Sequence, residues 1–307
     1  MKKNLLIAAI ALMAVAFVSC QKDGVYNPKH KIAKVYKEWV RTTVTTDASG
    51  STTRIDSLKP YVAQEWTWGD KTLESITSKN DDGRITETRN FNYDDKNRII
   101  GCTGDNDEKA EYIYNDDKKL QTIKITEGPN ETTTIDIAYD GKVPTSITTV
   151  WTYTIGKKVS DFTKSILPEY ICSAIEANQL HAKTTTFSST MTSAFEWDGK
   201  NISQVLTTGD DGYKHTITYE YDSKSNPFIG MYADMDYEVF YSKNNIVKRT
   251  ESYVDDNKTI TEVDEYAYEY DGKMPVKVIN SVVRENEVFG TTYKTTTVYT
   301  TTYEYTK

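Results

Sequence analysis

From His215 to Tyr221 the chain reads His-Thr-Ile-Thr-Tyr-Glu-Tyr, with apolar or aromatic side chains at odd positions and polar ones between them. Successive side chains on a β-strand point to opposite faces, so this segment is a strand with one face in a core. The same period of two recurs along the chain and ends each time in two large apolar residues, a turn and a lysine. The copies are Phe91-Asn-Tyr93-Asp94-Asp95-Lys96, Tyr112-Ile-Tyr114-Asn115-Asp116-Asp117-Lys118, Ile137-Ala-Tyr139-Asp140-Gly141-Lys142, Phe195-Glu-Trp197-Asp198-Gly199-Lys200, Tyr219-Glu-Tyr221-Asp222-Ser223-Lys224 and Tyr268-Glu-Tyr270-Asp271-Gly272-Lys273. Looser versions stand at Trp66 to Lys71 and at Phe240-Tyr241-Ser242-Lys243, and Tyr303-Glu-Tyr305 is the pair without its turn. Asp-Gly and its variants supply the positive φ of a tight hairpin, and second strands follow at Ile99-Ile100, Leu120 to Ile125, Ile202 to Leu206 and Val276 to Ile279.

One repeat is therefore one hairpin, and hairpins in series form an antiparallel meander of about sixteen strands in which each buries the edge of the last. Thr-rich stretches such as Thr291 to Thr302 reinforce this, because β-branched side chains pack well on a pleat. The predicted fold is all-β, a sheet curled into a half-barrel or a closed barrel to limit its exposed edges. Parity changes between Val263 and Tyr266, which predicts a β-bulge around Asp264-Glu265. The period changes once, where Ile166, Leu167, Tyr170, Ile171, Ala174 and Ile175 follow steps of three and four. This predicts one amphipathic helix over about 160–180, with Pro168 near its start, packed on the apolar face or plugging the end of the sheet.

The beginning of the chain has a different pattern. Met1-Lys2-Lys3 precedes an apolar run from Leu5 to Val18, and Phe17-Val18-Ser19-Cys20 closes it. The run is shorter than the ~20 residues a spanning helix needs and has the form of a signal peptide. Ending at Ser-Cys, it resembles a bacterial lipoprotein signal, with Phe17 where Leu is usual. Residues 1–19 are then the signal, Cys20 the lipidation site, 20–31 the lipidated cysteine with its tether, and 32–307 a single repeat domain. Gln21-Lys22-Asp23 resembles the surface-export signal of Bacteroides-type lipoproteins, with Gly24 standing where a second acid is expected.

Charge narrows the choice of partners. The chain carries 37 Lys+Arg against 45 Asp+Glu, and cleavage before Cys20 removes Lys2 and Lys3, moving the net charge from −8 to −10. No Lys/Arg cluster interrupts this acidity, so nucleic acid is excluded as a partner. The 23 Tyr against 8 Phe point to apolar surface that keeps a polar edge near water. Cys102 and Cys172 either pair as a disulfide or stand as separate thiols; neither belongs to a CxxC.

No catalytic motif emerges. His30, His181 and His215 are the only histidines, without HExxH, GxSxG or a phosphate loop. His215 has core parity. Glu196, Glu220 and Glu269 lie between aromatics and project to the opposite face, toward lysines on neighbouring strands. Asp105-Asn-Asp107-Glu108 and Gly209-Asp210-Asp211-Gly212 are oxygen-rich but lack a calcium loop's spacing, and turn chemistry accounts for both. No metal or cofactor is expected. Trp39, Trp66, Trp68, Trp151 and Trp197, with the many Tyr, are the candidates for stacking on a sugar ring, Trp66, Trp68, Trp151 and Trp197 foremost, although aromatics at strand parity are mostly core.

The phrase FNYDDKNRI at Phe91 to Ile99 resembles the YD repeats of Rhs-type surface proteins, without their regular Gly-Arg after the turn. From residue 61 to 307, and in its lipobox, the chain resembles Bacteroides lipoproteins carrying a domain of unknown function described as porin-like in fold. Neither resemblance implies a catalytic residue. A membrane-spanning barrel is not expected, because the faces opposite the aromatics carry Thr, Glu, Asp and Lys. The expected function is that of a non-enzymatic, lipid-anchored outer-membrane or cell-surface protein that binds a glycan or an envelope protein. The alternatives are a polysaccharide hydrolase using paired carboxylates and a structural envelope component.

Overall fold

The computed structural model describes residues 24–154, 156–181, 186–210, 212–231, 237–255, 258–288 and 291–306. The signal segment and Cys20 lie outside them. Sixteen strands follow in order: β1 Ile32–Asp47, β2 Gly50–Trp68, β3 Leu73–Lys79, β4 Ile85–Tyr93, β5 Ile99–Thr103, β6 Lys109–Tyr114, β7 Leu120–Thr126, β8 Thr132–Asp140, β9 Val143–Thr154, β10 Thr186–Asp198, β11 Asn201–Gly209, β12 Lys214–Ser225, β13 Asn244–Asp255, β14 Lys258–Asp271, β15 Met274–Val288 and β16 Thr291–Tyr305. Each pairs antiparallel with its neighbours in sequence, and β1 pairs with β16 from Ile32↔Tyr305 to Thr46↔Thr292, so the meander closes into a barrel. Closure leaves no sheet edge unpaired, which is the physical advantage over a half-barrel.

The repeated phrase has a structural job. The second aromatic of each hairpin donates to the carbonyl at the start of its partner strand: Trp68 to Ile32, Tyr93 to Leu73, Tyr114 to Ile99, Tyr139 to Leu120, Trp197 to Pro144, Tyr221 to Ile202 and Tyr305 to Pro275, at 2.6–2.9 Å. In β14 the first aromatic serves, with Tyr268 donating to Ile246 at 2.7 Å. All eight hairpins are thus clasped at their open end. The ladder to the next hairpin shifts register at the same place, at Asn92/Tyr93, Ile113/Tyr114, Ala138/Tyr139, Glu196/Trp197, Glu220/Tyr221 and Glu269/Tyr270. Bulges bend and twist a strand, so a bulge at the same phase of each repeat helps wrap the sheet. Gly141, Gly199 and Gly272 take φ of +55°, +62° and +60° in the two-residue turns that follow.

The bulge expected at Asp264-Glu265 is absent. Asp264↔Val282 and Glu265↔Ser281 are in continuous register, and Val263 simply points outward at 41% exposure. What looked like a shift of parity is a charged stretch of the inner face, where Asp264 sits on the parity of Tyr266 and Tyr268. Phe240-Tyr241 is likewise no strand end: Tyr237–Tyr241 is a short helix, α3.

The predicted helix is two helices, α1 Asp161–Lys164 and α2 Glu169–His181. Ser160 caps α1, its hydroxyl accepting from the Thr163 N–H at 3.1 Å. Pro168 has no N–H to give and restricts the residue before it, so the helical rhythm breaks there. The apolar face was legible: Ile166, Leu167, Tyr170, Ile171, Ala174 and Ile175 are all buried, packed in one core with Phe162 and the inner faces of β3 to β12. Arg89 donates to the Ser165 carbonyl, and Tyr170 shares a hydrogen bond with Ser193, so α1 and α2 plug one mouth of the barrel. Gly24 to Lys31, expected as tether, pack at the other end, where Tyr26 is 7% exposed and donates to the Pro227 carbonyl.

Candidate functional site

The barrel walls differ in height. β1 and β2 run 16 and 19 residues, whereas β5 and β6 across the barrel run 5 and 6. The apolar plug fills the short-walled side, and the inner face of the tall wall is polar. Trp39 on β1 is the register partner of Tyr299 on β16. Both share parity with the buried Val35 and the half-buried Tyr303, which packs against the core, and this places them on the inner wall, yet Tyr299 keeps 42% of its surface exposed. The Arg41 guanidinium lies 5.1 Å from the centre of the Trp39 ring, and its Nε donates to Thr297 Oγ1 at 3.4 Å. Asp56 is the register partner of Arg41 on the other side.

The polar lining continues around the wall. Arg249 contacts Glu251 and lies 3.4 Å from Asp264, Glu262 lies 3.7 Å from Arg284, and Glu251 lies 3.2 Å from His215 Nε2. Burial pushes the Asp264 carboxyl above the usual carboxylate range, against the pull of Arg249. Flat rings with guanidinium and carboxylate groups set beside them suit a ligand with apolar ring faces and many hydroxyls.

His215 is held as part of the wall, 2% exposed and ringed by Tyr170, Tyr213 and Tyr253. Ser193 and Thr207 share a hydrogen bond of 2.8 Å nearby. With Glu251 they have the composition of an acid–base relay, but Ser193 and Thr207 are 1% and 0% exposed, so no substrate reaches them.

A second group of titratable side chains lies under the plug. Glu87 is 5% and Glu108 7% exposed. Burial and the neighbouring Glu108 and Asp105 push Glu87 up to about 7, even though the Asp105 N–H donates to it. Glu108 is raised as well, first by burial. Among the described residues no group of three or more His, Cys, Asp or Glu is placed to hold a metal ion.

Of the residues singled out in the sequence, Trp151 is fully buried and Trp66 is 7% exposed, both in the core. Trp68 and Trp197 are half-buried, each with its indole N–H committed to a clasp. Cys102 and Cys172 are both buried free thiols. Glu220 and Glu269 pair on the outer face with Lys248 and Lys277 at 3.2 and 3.0 Å. Asp105 and Asp210 carboxylates accept from the Thr88 and Thr190 N–H groups of the neighbouring strands β4 and β10. Trp39 was among the candidate stacking residues, but its place beside Tyr299 and Arg41 was missed, although Val35, Trp39 and Arg41 share one parity in the sequence.

No family model matches the chain, and neither does any curated protein. Among solved structures, a porin-like protein from Bacteroides uniformis is similar at 14% identity, covering 88% of this chain and 97% of that one with a TM-score of 0.47. A porin-like protein from Bacteroides vulgatus is similar at 10% identity, covering 86% and 97% with a TM-score of 0.42.

Proposed function

We propose that this is a non-enzymatic binding protein, lipid-anchored through Cys20 on the outer membrane and displayed at the cell surface, whose barrel captures a glycan on its inner wall. The observation that carries the ligand class is the Trp39–Tyr299 pair with Arg41 against the indole. The lipobox supports the address. Ion pairs such as Glu220–Lys248 on the outer face support a barrel standing outside the bilayer, since charge facing lipid is costly.

The test is tryptophan fluorescence of the full-length Cys20→Ser protein, titrated with a panel of host and plant glycans. A saturable shift that disappears in Trp39→Ala is the expected result. No response across the panel moves the reading to an envelope protein partner. A polysaccharide hydrolase is the second reading, and it requires the plug that buries Glu87 and Glu108 to move aside so that a substrate reaches them. Turnover lost in Glu87→Gln is the result that would establish it.

A further inference from the structure

Lys37, Trp39 and Arg41 of β1 share the inner-facing parity, so a cation stands on each side of the indole, about 6.5 Å from it along the strand. Both cations are exposed, so water reaches them on the inner wall. Tyr299 lies across from Trp39 on β16, and Tyr61 lies across from Lys37 on β2. Flat rings and cations therefore alternate over one strip.

The two cations lack a counter-ion. Elsewhere on the inner face Arg54 pairs with Asp56 at 3.0 Å, Arg249 contacts Glu251 and lies 3.4 Å from Asp264, and Arg284 lies 3.7 Å from Glu262. On the outer face Lys79, Lys248 and Lys277 have Glu65, Glu220 and Glu269. Among the described residues no carboxylate pairs with Lys37, and Arg41 has the Trp39 ring and Thr297 Oγ1 but no acid. Asp56, the register partner of Arg41, is taken by Arg54. Burial and the charge of Asp81, in the turn after β3, raise the Tyr61 hydroxyl above its usual range, so one acid approaches the strip; it is exposed and pairs with neither cation.

The chain's net charge of −8 repels an anion at a distance, but physiological salt screens that field beyond ~8 Å, and the groups in contact decide. A guanidinium presents a fork that matches a carboxylate or sulfate, and an ammonium adds a point charge. We propose that the glycan captured by this wall is anionic, its ring stacked on Trp39 and Tyr299 and its carboxylate or sulfate held by Lys37 and Arg41. This rests on the reading of the inner wall as a glycan site and names the class of glycan.

Two matched pairs of probes test it: tetragalacturonate against its methyl ester, and a sulfated galactan tetrasaccharide against the unsulfated one. Each is titrated into the full-length Cys20→Ser protein and followed by tryptophan fluorescence. In at least one pair the charged member should bind about tenfold tighter or more, with the preference falling as salt is raised. The first pair reports a carboxylate and the second a sulfate. Lys37→Gln combined with Arg41→Gln should erase the preference, and Lys37→Arg should keep it. Neutral members bound as tightly as charged ones in both pairs, a comparison that needs no variant, would overturn the inference and leave the glycan reading standing. A preference retained in the double variant would overturn it as well. Silence from all four probes would overturn it too, and the wider glycan panel then decides whether the glycan reading falls with it.

Discussion

The Tyr114 hydroxyl donates to the Ile99 carbonyl at 2.7 Å, and the same hydroxyl lies where a side chain on Gly24 would have to go. Gly24 has φ of +75° and gives its own carbonyl to the Ile99 N–H, so the entering chain and the third hairpin's clasp share one point. Gly24→Ala combines an unfavourable φ with a collision against Tyr114. It should destabilise the barrel by about 2 kcal/mol in urea unfolding, whereas Gly83→Ala, also at positive φ but facing open space, should cost about 1.

The clasps should act as separate, similar increments. Tyr139→Phe leaves the Leu120 carbonyl without its 2.8 Å partner, and Tyr305→Phe does the same to Pro275. Each should cost about 1 kcal/mol, and because they sit in different hairpins the double variant should show the sum to within ~0.5 kcal/mol. A coupling larger than that would mean the ring of hairpins transmits strain.

The tryptophans should separate into core and wall. Trp151→Ala empties a fully buried site and should cost about 3–5 kcal/mol. Trp39→Ala, on the wet inner wall, should cost no more than ~1–2 kcal/mol and leave the far-UV spectrum unchanged.

Glu87 gives stability a pH slope of defined sign. Its folded pKa of about 7 lies above the ordinary 4.5, so between those values the native state holds the proton more tightly than the unfolded chain does. Stability from this group is present below 4.5 and is lost as pH rises toward 7. Glu87→Gln should remove that slope, and relative to wild type it should gain on the order of 1–3 kcal/mol at pH 8 over its value at pH 4. Chemical denaturation of both proteins at the two pH values measures it.

Thiol chemistry checks the cysteines. Burial pushes Cys102 up to about 12, and Cys172 is 5% exposed with its Sγ 3.9 Å from the Leu167 carbonyl. In the Cys20→Ser protein an aromatic disulfide reagent should find no thiol in the native state and two after unfolding. None after unfolding would show that they had paired.

The hairpins were legible because what defines them is local: alternation of side chains along a strand and the backbone freedom of Asp-Gly lie within a few residues of each other. The number of strands, the helical rhythm from Ile166 to Ile175 and the outward place of Glu220 and Glu269 all follow from that. A bulge slips parity by one, so the face of a residue beyond it depends on where the bulge lies, and the sequence around Asp264 could not distinguish a bulge from charge on an inner wall. Only the tertiary structure decided that β1 meets β16 and seals the barrel, because that pairing joins residues 246 to 273 positions apart. It also decided that one helical rhythm breaks into α1 and α2, since the plug must fit the mouth on both sides of Pro168. The same closure sets a tall polar wall against a short apolar one, and so brings Trp39, Arg41 and Tyr299 to one strip.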